Sequence, residues 1–105
     1  MKVQELRVDF LLGGCRSLKE KRQRLRGLRD RFGKQPNLAV VESAFADSVQ
    51  RSRWSFLGAA SSLDPVLQQL SDIERYLSLT VDAEILSMQR IEWYGADESS
   101  LPAHW

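Results

Sequence analysis

The chain has 105 residues, 43% hydrophobic and 28% charged, with a formal net charge of +1, which points to one globular domain with a modest core. No apolar run approaches the ~20 residues of a membrane span, and the amino-terminal stretch lacks the apolar core of a signal peptide, so the cytoplasm is the expected location. One cysteine and one histidine support neither an internal disulfide nor a metal centre, and no cofactor is expected.

In chain order, Leu6, Val8, Phe10 and Leu12 alternate with Arg7, Asp9 and Leu11, the period of a half-buried strand over residues 2–12. Gly13-Gly14 ends it. Ser17-Leu18-Lys19-Glu20 fits a capping box, with Ser17 accepting from the Glu20 N–H and the Glu20 carboxylate reaching back to the Ser17 N–H. A helix follows over 18–32, stopped by Gly33 and Pro36. Residues 37–45 and 53–61 read as two further strands, the second with Trp54, Phe56, Gly58 and Ala60 on one face. Asp64-Pro65 reads as cap and first turn of a second amphipathic helix, ending near residue 79. Ala83, Ile85, Ile91 and Trp93 share a parity in a last strand over 82–94, with Leu86 and Met88 on its other face.

The order β-α-β-β-α-β predicts an α+β, ferredoxin-like (split β-α-β) sandwich: a four-stranded antiparallel sheet with two helices on one face and the first and third strands central. Gly58, Ala59 and Ala60 suit a strand that a helix approaches closely. The domain is assigned to residues 1–94. Residues 95–105 are expected to be a mobile tail.

The charge is unevenly spread. Residues 16–34 hold nine Lys or Arg against Glu20 and Asp30, +7, while the rest of the chain holds six bases against twelve acids, −6. On a helical projection Leu18, Leu25, Leu28 and Phe32 form the apolar stripe. Lys19, Arg22, Arg26 and Arg29 form a ribbon on one flank, and Arg24 and Arg31 lie on the other. Glu20 and Arg24 have the spacing of an i,i+4 ion pair, whereas Arg22 and Arg26 repel. Such a helix suits a polyanion. The Gly13-Gly14 turn before Arg16 and Ser17 offers backbone N–H groups to a phosphate. Lys21 falls on the apolar side, its ammonium expected at the rim near that anion site. Lys21→Met is therefore expected to be nearly neutral for stability. Cys15 reads as a small filler residue.

The stretch GGCRSLKEKRQRLRGL, taken with FADSVQRSRWSFLGAAS, resembles the YlxP-like family of small uncharacterised bacterial proteins. The run from Arg16 to Arg22 carries most of the likeness, supported by the spacing of Asp47, Gln50, Arg51 and Leu57-Gly58, and the likeness extends over residues 2–93. The chain departs from the family pattern at Val49, where Trp is common, at Trp54, where a small residue is common, and in its longer tail. The resemblance implies a ferredoxin-like fold. Because the family's genes often lie beside those for translation initiation and ribosome-maturation factors, it also implies a connection to RNA or the ribosome. It supplies no catalytic residues.

Three functions compete. A small phosphoryl enzyme is disfavoured, because no histidine or paired cysteine stands where a nucleophile would need it; the expectation is no enzymatic activity. RNA recognition by base stacking on the sheet is disfavoured by Glu5, Arg7 and Asp9 on its open face. That leaves RNA or a ribosomal subunit bound through phosphate contacts from Arg16, Ser17, Lys19, Lys21, Arg22, Arg26 and Arg29. The alternative is a protein-interaction or homodimer module that uses the open sheet face, favoured if Leu86 or Met88 stands on it.

Overall fold

The computed structural model describes residues 1–93; the expected tail, and its mobility, lie outside them. Six elements follow in the order expected: β1 (Lys2–Leu11), α1 (Leu18–Phe32), β2 (Leu38–Ala44), β3 (Arg51–Ala60), α2 (Leu63–Thr80) and β4 (Glu84–Trp93). The strands form one antiparallel sheet in the order β2-β3-β1-β4. This is the ferredoxin-like arrangement, with β1 and β3 in the centre.

The alternation in β1 does what its period requires. Leu6, Val8 and Phe10 are fully buried and sit opposite Phe56, Trp54 and Ser52 of β3. Leu25, Leu28 and Phe32 of α1 and Val66, Leu70, Ile73 and Leu77 of α2 complete the same core, so both helices cover one sheet face. Each helix buries a single stripe, because 3.6 residues per turn return every third or fourth side chain to that side. A Cβ added to Gly58 would come within 3.1 Å of Val66 Cγ1, so the missing side chain sets how closely α2 lies on β3. Cys15 is buried, its thiol directed at the Ser17 carbonyl.

Two expectations need correction. The second helix starts at Leu63 behind Ser62, which makes no side-chain capping bond, and Asp64 lies inside the first turn. There its carboxylate still faces the positive end of the helix dipole. In β4 a bulge interrupts the alternation: Asp9 pairs with Ser87 but Phe10 pairs with Ile85, leaving Leu86 extra. One inserted residue exchanges the two faces of a strand. Ile85 and Met88 therefore both pack on the core, while Ile91 and Trp93 lie opposite Glu5 and Val3 on the open face.

Candidate functional site

α1 is anchored by local chemistry at its start. Ser17 is the N-cap, its hydroxyl accepting from the Glu20 N–H at 3.0 Å. The Glu20 carboxylate reaches back one residue further than expected, to the Arg16 N–H at 2.9 Å. The turn expected to offer its N–H groups to a phosphate thus already holds a carboxylate of its own helix, and the Ser17 hydroxyl serves the cap.

The cations of α1 divide into two sets. Lys21, on the apolar side, is 3% exposed. Its ammonium donates to the carbonyls of Phe45 and Ser48, both at 2.8 Å. It also pairs with Glu42 Oε2 at 2.8 Å and lies 3.5 Å from the Ala46 carbonyl. An ammonium has three donors and no spare capacity once these are used. The expectation that Lys21 sits at the rim and meets an external anion is therefore corrected: it is an internal tie between α1 and the β2–β3 loop. Glu42 completes the tie by accepting from the buried Ser52 hydroxyl at 2.5 Å. Arg24 is also engaged, though not by Glu20. It donates to the carbonyls of Gly13 at 2.9 Å and Asp82 at 3.0 Å and pairs with the Asp82 carboxylate at 3.3 Å. It clasps the β1–α1 and α2–β4 connections together. Arg31 lies over the Tyr76 ring at 4.6 Å.

The second set is the ribbon. Lys19, Arg22, Arg26 and Arg29 are exposed and border one groove together. Arg26 has an exposed i,i+4 contact with Asp30 at 3.6 Å, a pair of little energetic weight. Arg29 rests over the Trp54 ring at 5.2 Å. Among the described residues no carboxylate lies within ion-pair distance of Lys19, Arg22 or Arg29, nor of the exposed Arg16. The structure thus gathers Lys19, Arg22, Arg26 and Arg29 as exposed cations around one groove, while Lys21, which also lines it, is buried and held by internal partners.

The open sheet face treats charge differently. Glu5 is only 2% exposed. It takes hydrogen bonds from Arg7 Nε at 2.8 Å, Ser55 Oγ at 2.6 Å and Trp93 Nε1 at 3.3 Å. Because the Ser55 proton goes to Glu5, Ser43 must donate to Ser55 across their 2.7 Å contact. Burial pushes the Glu5 carboxyl up, but the bonds from Arg7 and Ser55 and the Arg7 charge outweigh it and hold the pKa below its usual value. Asp9 is held down chiefly by its hydrogen bonds from Arg53, at 2.7 and 3.3 Å, against a smaller effect of burial. Asp9 in turn holds the Arg53 guanidinium's pKa up. Sequence parity placed Glu5 and Asp9 on this face; it held no signal that Glu5 would be buried.

Among the described residues no group of acidic, histidine or cysteine side chains could hold a metal ion, and no helix is long and apolar enough to cross a membrane. A comparison with curated proteins finds no match. The profile of a family described as "Protein of unknown function (DUF503)" matches residues 3–90, a span that runs from β1 into β4 and takes in the whole of α1, so the chain belongs to the DUF503 family.

Proposed function

We propose that this chain is a cytoplasmic RNA-binding protein, without catalytic activity, that meets ribosomal RNA through phosphate contacts from the exposed flank of α1. The observation that carries the reading is the ribbon Lys19, Arg22, Arg26 and Arg29, whose only acidic contact among the described residues is the weak one between Arg26 and Asp30. Exposed cations held on a rigid helix and left unpaired are what phosphate contacts require. Arg16, exposed just before the helix N-cap, adds one more cation without an ion-pair partner among the described residues. The resemblance to the YlxP-like family, with its genomic neighbours in translation, supports the same reading.

The test is an anisotropy titration on ribosomal RNA fragments across a salt series. Four phosphate contacts give a slope of log K against log[salt] of about −3 to −4, or roughly a hundredfold loss of affinity between about 50 and 200 mM salt. Reversing Arg22, Arg26 and Arg29 together to Glu abolishes binding without unfolding the domain, because all three lie off the apolar stripe. No binding by the wild type at about 50 mM salt, or wild-type affinity in the triple variant, overturns the reading.

The second reading, a protein-interaction or homodimer surface on the open sheet face, is favoured by Val41 and Trp93, each about half exposed there. Met88, which would have strengthened it, faces the core instead. Concentration-dependent size in solution distinguishes it.

A further inference from the structure

The cationic ribbon overlooks a groove of about 430 Å³, within the range of small-molecule and cofactor sites. It is lined by the exposed cations of the ribbon, by the Lys21–Glu42 pair and by the apolar side chains of Leu18, Leu25, Ala46 and Trp54. Trp54 is 5% exposed, and its indole Nε1, the only polar atom of the side chain, is buried without an acceptor. Glu42, which borders the groove from the sheet, takes Lys21 and Ser52 on its Oε2 and does not accept from the indole. A buried donor left unpaired is costly and calls for a reason. Over the same indole lies the Arg29 guanidinium, which has no ion-pair partner among the described residues to hold it there.

We infer that this groove is a nucleotide pocket that takes one unstacked base of a single-stranded RNA. A keto oxygen or ring nitrogen of the base accepts from Trp54 Nε1, and the flanking phosphates lie on Arg22 and Arg26. The inference rests on the RNA reading above and adds a base contact to it. The lining favours this occupant. Exposed cations suit phosphate, the apolar lining side chains suit a flat ring, and the unpaired donor of Trp54 suits the acceptor edge of a base. With Arg29 over the indole, Nε1 is closed to the groove, so the base reaches it only as Arg29 leaves the indole and presents its plane to the base, a stacking partner common in single-strand recognition. In a duplex the base edges are paired and stacked, so a duplex can use the exposed cations but not the Trp54 N–H.

The experiment compares a single-stranded RNA with the duplex of the same sequence at one salt concentration. The wild type is expected to prefer the single strand by about tenfold, the worth of one good hydrogen bond with its stacking. Trp54→Phe keeps an aromatic ring and removes the N–H; it should lose most of that preference while binding the duplex as before. Equal wild-type affinity for both RNAs, or an undiminished preference in Trp54→Phe, overturns the pocket and leaves the phosphate reading standing. Failure to bind either RNA at low salt removes both. A polyglutamate competitor that displaces the single strand as well as unlabelled RNA does would make the ligand an acidic protein and overturn the base contact. A second measurement needs no folded variant: on the wild-type protein, uridine monophosphate should shift the Trp54 indole N–H resonance, and inorganic phosphate at the same concentration should not. Equal shifts from both overturn the inference.

Discussion

The outer flank of α1 and the open face of the sheet are both crowded with charge, and they use it in opposite ways. On the sheet Glu5 is answered by Arg7, Ser55 and Trp93, and Asp9 by Arg53 and Ser87. Those carboxylates are committed to the fold. On the flank Lys19, Arg22 and Arg29 have no carboxylate beside them among the described residues. The same division runs within α1 itself: Lys21 and Arg22 are neighbours in sequence, one caged by oxygens and the other exposed to water. A count of charges finds the region; whether each charge is already paired decides what it can bind.

Three substitutions break or sharpen this contrast. The largest effect belongs to Lys21→Met. It leaves the Glu42 carboxylate and the loop carbonyls without their cation, so denaturant unfolding should show a loss of about 3–5 kcal/mol. The RNA affinity of the protein that remains folded should be unchanged. A small stability loss with weakened RNA binding would move Lys21 into the free set.

Glu5→Gln comes next. It should cost about 1–3 kcal/mol near neutral pH, since an amide cannot accept from every donor that faces it. Its pH dependence has a definite sign. Glu5 and Asp9 have folded pKa values below their unfolded ones, so their stabilisation is full above the ordinary carboxylate range and is lost as pH falls through the lowered values. The wild type should therefore destabilise on acidification through that window, and Glu5→Gln should do so with a shallower slope. Equal slopes in the two proteins would assign acid sensitivity to other groups.

The smallest effect is on the flank. Arg22→Ala should change stability by less than about 0.5 kcal/mol while reducing the magnitude of the salt slope for RNA by about 1. A clear loss of stability would show that Arg22 is structural, as Lys21 is.

Much of this was legible in the sequence because the signals were local. Ser17, Glu20 and the leucine spacing fixed α1 to the residue, and β1's alternation named its buried side. What was not legible came from tertiary pairing. The bulge at Leu86 exists only against β1, so strict parity grouped Ile85 with Ile91 although they face opposite sides. Lys21 was recognisable as misplaced on its helix. Its acceptors, however, are carbonyls in a loop more than twenty residues away, and backbone carbonyls carry no sequence signature. Asp64-Pro65 is a strong start signal, yet the helix begins slightly upstream, where the backbone of Ser62 is already extended. The groove beside the ribbon was hidden for a similar reason: the strand period puts Trp54 on one face with Phe56, and only the surrounding packing leaves its N–H unmet.

The cage around Lys21 also limits how this chain can vary. Surface connections usually accept inserted or deleted residues, since little depends on their length. The β2–β3 connection must deliver the carbonyls of Phe45 and Ser48 to one ammonium at 2.8 Å each, with Phe45 in the left-handed region at φ 62°. A single added residue would carry one of those oxygens out of reach. A lysine on the first helix thus fixes the length of a loop between two strands.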